Sequence, residues 1–379
     1  MFACRRWGLL PVVLGMACLS GAASQGREIY VNVQAGNDHN PGTLEQPLVT
    51  AQQAVVKAQP GDVIHLLPEG ALIRQEIVLA GKAGITIDGH NVTLTGADPL
   101  PAEGWEQVRP NLARRRMPQT LMKRHLLIVN GKANRMGRSP TVAKPFPSPE
   151  KLKPGQFCWQ DIDAKEGWLY VCGPRDHLEW SVRMAGVRTS GRGRNVTIRN
   201  LNCRHALNDG FNIHGDWRGL RCRNITGYEN FDEGFSAHDT CQCWIDNGRF
   251  WGNDNAVADI DQADTFYCNC EFRDSVSVEV FLRGGKHTLD DCRIVAAGQT
   301  ALSATSTKVG KDNAQYVPLD CRLTRCEIRS VEGRERAFYA NDATVSLTDC
   351  RLERVKLTVR GTKLTAQKST LNNQPLAAP

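Results

Sequence analysis

Three features of the sequence predict an all-β solenoid, a parallel β-helix. From residue 195 the chain returns about every 22–24 residues to one pattern, as in NVTIRNLNCRHALNDGFNIHG, GLRCRNITGYENFDEGFSAHD and TFYCNCEFRDSVSVEVFLR. Each unit holds short alternating runs separated by Asn, Asp or Gly, the signature of strands joined by tight turns. Units this short cannot bury an apolar face alone, so they must stack. The leucine consensus of leucine-rich repeats is missing, and a propeller blade needs about 40 residues. A cysteine column supports the register: Cys270, Cys292 and Cys350 each open a Cys-polar-apolar triplet, and Cys326 rejoins the column after a longer coil.

Residues 1–25, MFACRRWGLLPVVLGMACLSGAASQ, carry Arg5 and Arg6, then an apolar run, then small residues. That is the order of an export signal. The expectation is a protein secreted to the extracellular space or periplasm, with no membrane span, since no later run approaches the ~20 apolar residues a span needs. Residues 26–96 predict an N-terminal cap and the first coils. REIYVNV reads as a strand, VTAQQAVVKA after Pro47 as a short capping helix with Thr50 near its start, and ITIDGHNVTLTG as the first clear coil. Residues 97–180 break the repeat with GWEQV, LLIVNGK, FCWQDI and GWLYVCG and are expected to form an inserted small β-rich subdomain. Coils resume over 181–365, and 366–379 reads as a tail.

Composition places the chain among globular proteins, 41% hydrophobic and 23% charged over 379 residues. The formal charge of +7 becomes +5 without Arg5 and Arg6 (7 − 2), too little to argue for a nucleic-acid partner. The basic cluster Arg114, Arg115, Arg116, Lys123 and Arg124 reads as a solvated face. Removing Cys4 and Cys18 leaves twelve of fourteen cysteines (14 − 2). The column is expected to hold buried thiols, and Cys158 with Cys172 is the better candidate for a disulfide. Asn91, Asn195 and Asn224 match N-x-S/T but read as turn residues.

With these residues in view, the chain resembles the right-handed parallel β-helix, pectin-lyase-like, carbohydrate-active proteins. IYVNVQAGNDHNPGTLEQPLVTAQQAVVKAQPGDVIHLLPEG is similar to their opening segment, and LLIVNGKANRMGRSP followed by GWLYVCG to an insertion of several β-helix glycoside hydrolases. GFSAHD at 234–239 resembles the GFDPHD motif of alginate C5-epimerases: His238 and Asp239 match, and Ser236-Ala237 stand where that family has Asp-Pro. The resemblance implies a polysaccharide substrate and lyase, hydrolase or epimerase chemistry.

Strand alternation then nominates a site. With apolar members inward, Ala256, Ala258 and Ile260 enter the core, and the outward set is Asn212, His214, Ser236, His238, Val257, Asp259, Asp261, Glu279, Phe281 and Arg283. Asp259 and Asp261, two apart on one strand, are expected ~6.6–7 Å apart at Cα and suit an acid–base pair. Asp239 adds charge that raises a neighbour's pKa. Arg283 would clamp a carboxylate or hydroxyl, and His214 and His238 would orient the sugar or move a proton. Asn212, Ser236, Glu279, Phe281 and Trp217 complete the expected substrate surface. No cofactor is required; calcium at Asp239, Asp259 and Asp261 is the one metal this set allows. Asp209, Asp232 and Asp254, one per unit, read as turn formers. The expectation is a monomeric enzyme that cleaves glycosidic bonds, with uronate elimination or C5 epimerisation and plain glycan binding as rivals.

Overall fold

The computed structural model describes residues 26–134 and 146–376. The expected export signal lies outside the described residues. Nine strands stack in parallel, one per coil: Ile77–Ala80, Val187–Ser190, Phe211–Ile213, Glu233–Ala237, Asn255–Ile260, Val278–Arg283, Thr300–Thr305, Arg336–Asn341 and Val355–Arg360. The remaining faces of the coils form a 19-stranded sheet whose pairings are parallel apart from the C-terminal Thr370–Leu371/Gln374–Pro375 hairpin. This is a parallel β-helix.

Register follows from side-chain burial. Val187, Phe211, Phe235, Val257, Val280, Leu302 and Phe338 stand one above another and are fully buried in the lumen. A one-residue slip of any rung would exchange such a side chain for its outward neighbour, at about 1.5–3 kcal/mol per large apolar group. The adjoining inward column runs Ile213, Ala237, Asp259, Leu282, Ala304 and Ala340, so an aspartate replaces an apolar residue at one rung.

At the N-terminal end, the helix Ala51–Lys57 buries Ala51, Ala54 and Val55 in the core formed by the first coils. Thr50 caps it, its Oγ1 accepting the Gln53 amide hydrogen at 3.3 Å. All twelve described cysteines are free thiols. In the column, Cys270, Cys292, Cys326 and Cys350 each donate to backbone carbonyls, which holds the small side chains in register. The expected Cys158–Cys172 bridge is not formed: Cys158 faces Tyr170 across the strand pair, and burial pushes its thiol up to about 12. Asn91, Asn195 and Asn224 all have positive φ (61°, 53° and 51°), as the αL corners of turns require.

Between the first two rungs of the nine-stranded sheet the chain leaves the solenoid and builds two antiparallel four-stranded sheets. One contains Trp105–Arg109, Leu112–Pro118, Phe157–Asp161 and Glu166–Cys172. The other contains Ala97–Pro99, Leu127–Val129, Lys132–Ala133 and Leu178–Ser181. Leu126 and Ile128 of this excursion pack with Leu207 and Phe231, which precede Asn208-Asp209 and Asp232-Glu233 at the entrance to two neighbouring rungs. The excursion therefore overhangs one edge of the nine-stranded sheet, and that contact positions the site.

Candidate active site

The structure redistributes the residues nominated by alternation. Asp259 is not on the outer face: it is 0% exposed and points into the lumen, where Thr265 Oγ1 and Tyr267 OH both donate to its Oδ2 at 2.8 Å. The physical reason is pairing: Phe235 stacks on Val257 and Ala237 on Asp259, so Val257 and Asp259 are inward and Ala258 takes the outward place beside Ser236 and Phe281. Asp261 lies beyond the strand at a turn (φ 66°), its Oδ2 accepting the Asp239 amide hydrogen at 3.4 Å. Asp259 and Asp261 are thus on opposite sides of the wall and form no acid–base pair. The same separation removes the calcium set of Asp239, Asp259 and Asp261.

Trp217 is also inward, fully buried, with Nε1 donating to the Ser190 carbonyl at 3.2 Å, so it has no face to offer a sugar. Glu279 is buried and accepts the backbone hydrogens of Ser275 (3.2 Å) and Ala297 (3.1 Å), bracing a corner. Phe281 is half-buried in the outward row, and Arg283 is exposed at its strand end, in register with Ile260 and Thr305. Asp239 accepts from the Gly215 amide at 2.8 Å and lies 3.5 Å from His214 Nδ1, so it props the histidine.

A different set converges where the excursion overhangs the sheet. A cavity of about 500 Å³ is lined by Arg124 and Met122 from the excursion and by Arg188, Asp209, Asn212, His214, Asp232, Glu233 and His238 from the coils. Carboxylate oxygens of Asp209, Asp232 and Glu233 lie within 4.8 Å of one another. Asp209, 1% exposed, is held by four donors: Asn208 Nδ2 (3.1 Å), Asn212 Nδ2 (2.7 Å), Ser236 Oγ (2.6 Å) and the Glu233 amide (3.0 Å). Glu233 Oε1 accepts from Asn255 Nδ2 at 2.7 Å, which aims the side chain along the rung. Asp232 forms an ion pair with Arg124 Nη2 at 2.7 Å, and Arg124 also donates to the Asn208 side chain. Asp209 and Asp232, read as turn formers, and Arg124, read as part of a solvated face, thus make these contacts inside the cavity. Asn212 and Ser236, nominated to hold substrate, instead fix a carboxylate.

Electrostatics separates the groups. Burial, then the neighbouring Asp209 and Asp232, hold the Glu233 carboxyl well above its ordinary value. Burial and Asp232 also raise Asp209, so the two buried carboxyls hold protons more tightly than free carboxyls do. His238 is lowered to about 4, first by burial and then by His214, whose ring stacks on it at 4.0 Å between centroids. It is therefore neutral and able to accept a proton. The cavity combines a carboxyl raised by burial, further acidic groups, a neutral imidazole and two guanidinium groups, a set suited to acid–base chemistry on a polar substrate.

No protein-family model matches the sequence, and no curated protein matches it. Solved structures share the fold, three of them as follows. XylC in complex with xylose is 13% identical, with 88% of this chain and 70% of that one covered and a TM-score of 0.58. The pectate lyase Pel9A is 11% identical over 93% of this chain and 79% of that one, TM-score 0.51. A glycoside hydrolase is 11% identical over 91% and 96%, TM-score 0.51. At these identities the likeness speaks to architecture: the chain is a parallel β-helix of the kind found in carbohydrate-active proteins.

Proposed function

We infer that the protein is a polysaccharide-cleaving glycoside hydrolase whose site is the cavity between the excursion and the nine-stranded sheet. The observation that carries this reading is the closeness of Glu233 and Asp232 in one cavity, their carboxyl oxygens within 4.8 Å, with burial and its acidic neighbours holding the Glu233 carboxyl well above its ordinary value. Glu233 donates its proton to the glycosidic oxygen as the bond to the anomeric carbon breaks. Asp232 faces the developing positive charge and attacks the anomeric carbon; Glu233, now a carboxylate, takes a proton from the water that releases the sugar. The short separation favours retention, because inverting enzymes space their carboxyls at about 6.5–9.5 Å to admit a water. Asp209 is a positioning residue that keeps the proton on Glu233, and Arg124 orients Asp232.

A second reading rests on His238. A neutral imidazole in the cavity that Arg124 and Arg188 also line can remove the C5 proton of a uronate while a guanidinium neutralises its carboxylate, giving elimination or epimerisation. The chain is proposed to act after export, as a monomer, on neutral or acidic glycans. Incubation with a panel of both, following reducing ends and unsaturated-uronate absorbance together, separates the readings: reducing ends alone support hydrolysis, and both signals support elimination. Glu233→Gln should lower hydrolysis by at least ~100-fold with the fold retained. Unchanged turnover in that variant would refute the assignment.

A further inference from the structure

A second cluster lies on the first coils, built by the strands Glu28–Asn32, Val63–Leu67 and Thr86–Thr95. Tyr30, His65 and Asp88 stand in one outward row across these strands. The Asp88-Gly89-His90 segment then bulges: Asp88 pairs with Arg199 and Val92 with Leu201, so three residues oppose Asn200 alone. A bulge re-aims a side chain, and here His90 takes a left-handed conformation (φ 45°) that turns its ring back toward His65. Gly89 is required there, since a Cβ would meet the Asn200 carbonyl at 2.4 Å.

The result is an imidazole pair at bonding distance, His65 Nδ1 to His90 Nε2 at 2.7 Å, with Asp88 Oδ1 4.0 Å from His90 Nε2. One ligand atom from each of His65, Asp88 and His90 lies within 4.8 Å of the others. The other nitrogen of His65 is held by Glu28 Oε2, and Tyr30 stacks on the ring at 4.9 Å between centroids. Glu28 thereby fixes the hydrogen on His65 Nε2 and leaves the Nδ1 lone pair facing His90 and Asp88. A carboxylate on the far nitrogen of a histidine is the usual support for a metal ligand. Asp88 is itself fixed, its Oδ2 accepting from Arg199 Nε at 2.7 Å and its Oδ1 from Asn200 Nδ2 at 3.0 Å and from the His90 amide at 3.1 Å.

We propose that His65 Nδ1, His90 Nε2 and Asp88 Oδ1 form a binding site for a divalent transition metal, of the zinc type, which clamps the first coils together. Two imidazoles and a carboxylate suit such ions rather than calcium or magnesium. Binding needs His90 to shift its hydrogen from Nε2 to Nδ1, and the two nitrogens to part from 2.7 Å to roughly 3.3 Å, the separation of two ligands on a tetrahedral ion at 2.0–2.1 Å.

The test uses the exported chain without a histidine tag, stripped with chelator and titrated with zinc chloride alone by calorimetry, then with cobalt chloride by visible absorption. The expected result is one equivalent bound, with cobalt bands free of thiolate charge transfer. His65→Gln and His90→Asn, the latter tolerant of positive φ, should each abolish it, and Glu28→Gln should weaken it about 10-fold or more. His214→Gln and His238→Gln should leave it unchanged. Circular dichroism verifies that each variant folds. Absence of binding in the parent chain, binding unaffected in both His65→Gln and His90→Asn, or binding lost with the His214 or His238 variants would overturn the proposal.

Discussion

Replacing Asp259 by Asn should leave catalysis intact and remove a pH-dependent loss of stability. Burial raises this carboxyl from 3.8 to about 7, against the lowering influence of Thr265 and Tyr267. The folded state therefore binds the proton more tightly than the unfolded chain between about pH 4 and pH 7. Stability is full below pH 4 and falls as pH rises through that window. A shift of about 3 units, at about 1.4 kcal/mol each, makes the loss roughly 4 kcal/mol. Asparagine cannot ionise, and its side-chain oxygen can accept from the same two hydroxyls. The assay is urea unfolding of both proteins from pH 4 to pH 8. The two should be of similar stability at pH 4, the variant gaining progressively to several kcal/mol by pH 8. A difference independent of pH would refute the burial argument. A ~100-fold loss of turnover with the fold intact would restore Asp259 to the outer face and refute the register.

Other consequences concern neighbouring groups. Glu279 is also buried and raised from 4.5 to about 7, so Glu279→Gln should flatten the parent profile in the same direction. Trp217→Ala should cost about 3–5 kcal/mol in unfolding free energy, with the affinity of the folded fraction for oligosaccharides unaltered, because the ring is wholly in the core. Arg124→Gln should lower turnover and also lower stability, because it removes the guanidinium that compensates the largely buried Asp232 charge; steady-state kinetics and thermal unfolding check both halves.

The solenoid was legible because its repeat imposes the same turn and strand chemistry at every pitch, and the short helix because Pro47, Thr50 and VTAQQAVVKA mark its start and apolar face. One rung was misread for a physical reason. Asn255–Ile260 reads NAVADI, with alanines and an isoleucine on one parity and Val257 on the other, so the inward-apolar rule has no unique solution. Counting from Phe235 to Val257, a full pitch of 22 residues (257 − 235), selects the observed register and puts Asp259 inside. The carboxylate cluster was visible as Asp209 and Asp232, 23 apart (232 − 209), but aspartate before a strand is ordinarily a turn former. What distinguishes these two is the overhanging excursion, and nothing in sequence spacing brings Arg124 to Asp232. The stacked histidines His214 and His238 were legible, since each lies at the end of a rung on adjacent coils.

The most direct test of the central claim is the stereochemistry of cleavage, followed by proton NMR on the first product formed from whichever glycan of the panel is turned over, with Glu233→Gln run alongside. The account predicts an initial product that retains the anomeric configuration of the substrate and a variant slower by at least ~100-fold. An inverted initial product, or a Glu233→Gln variant as fast as the parent, would contradict it.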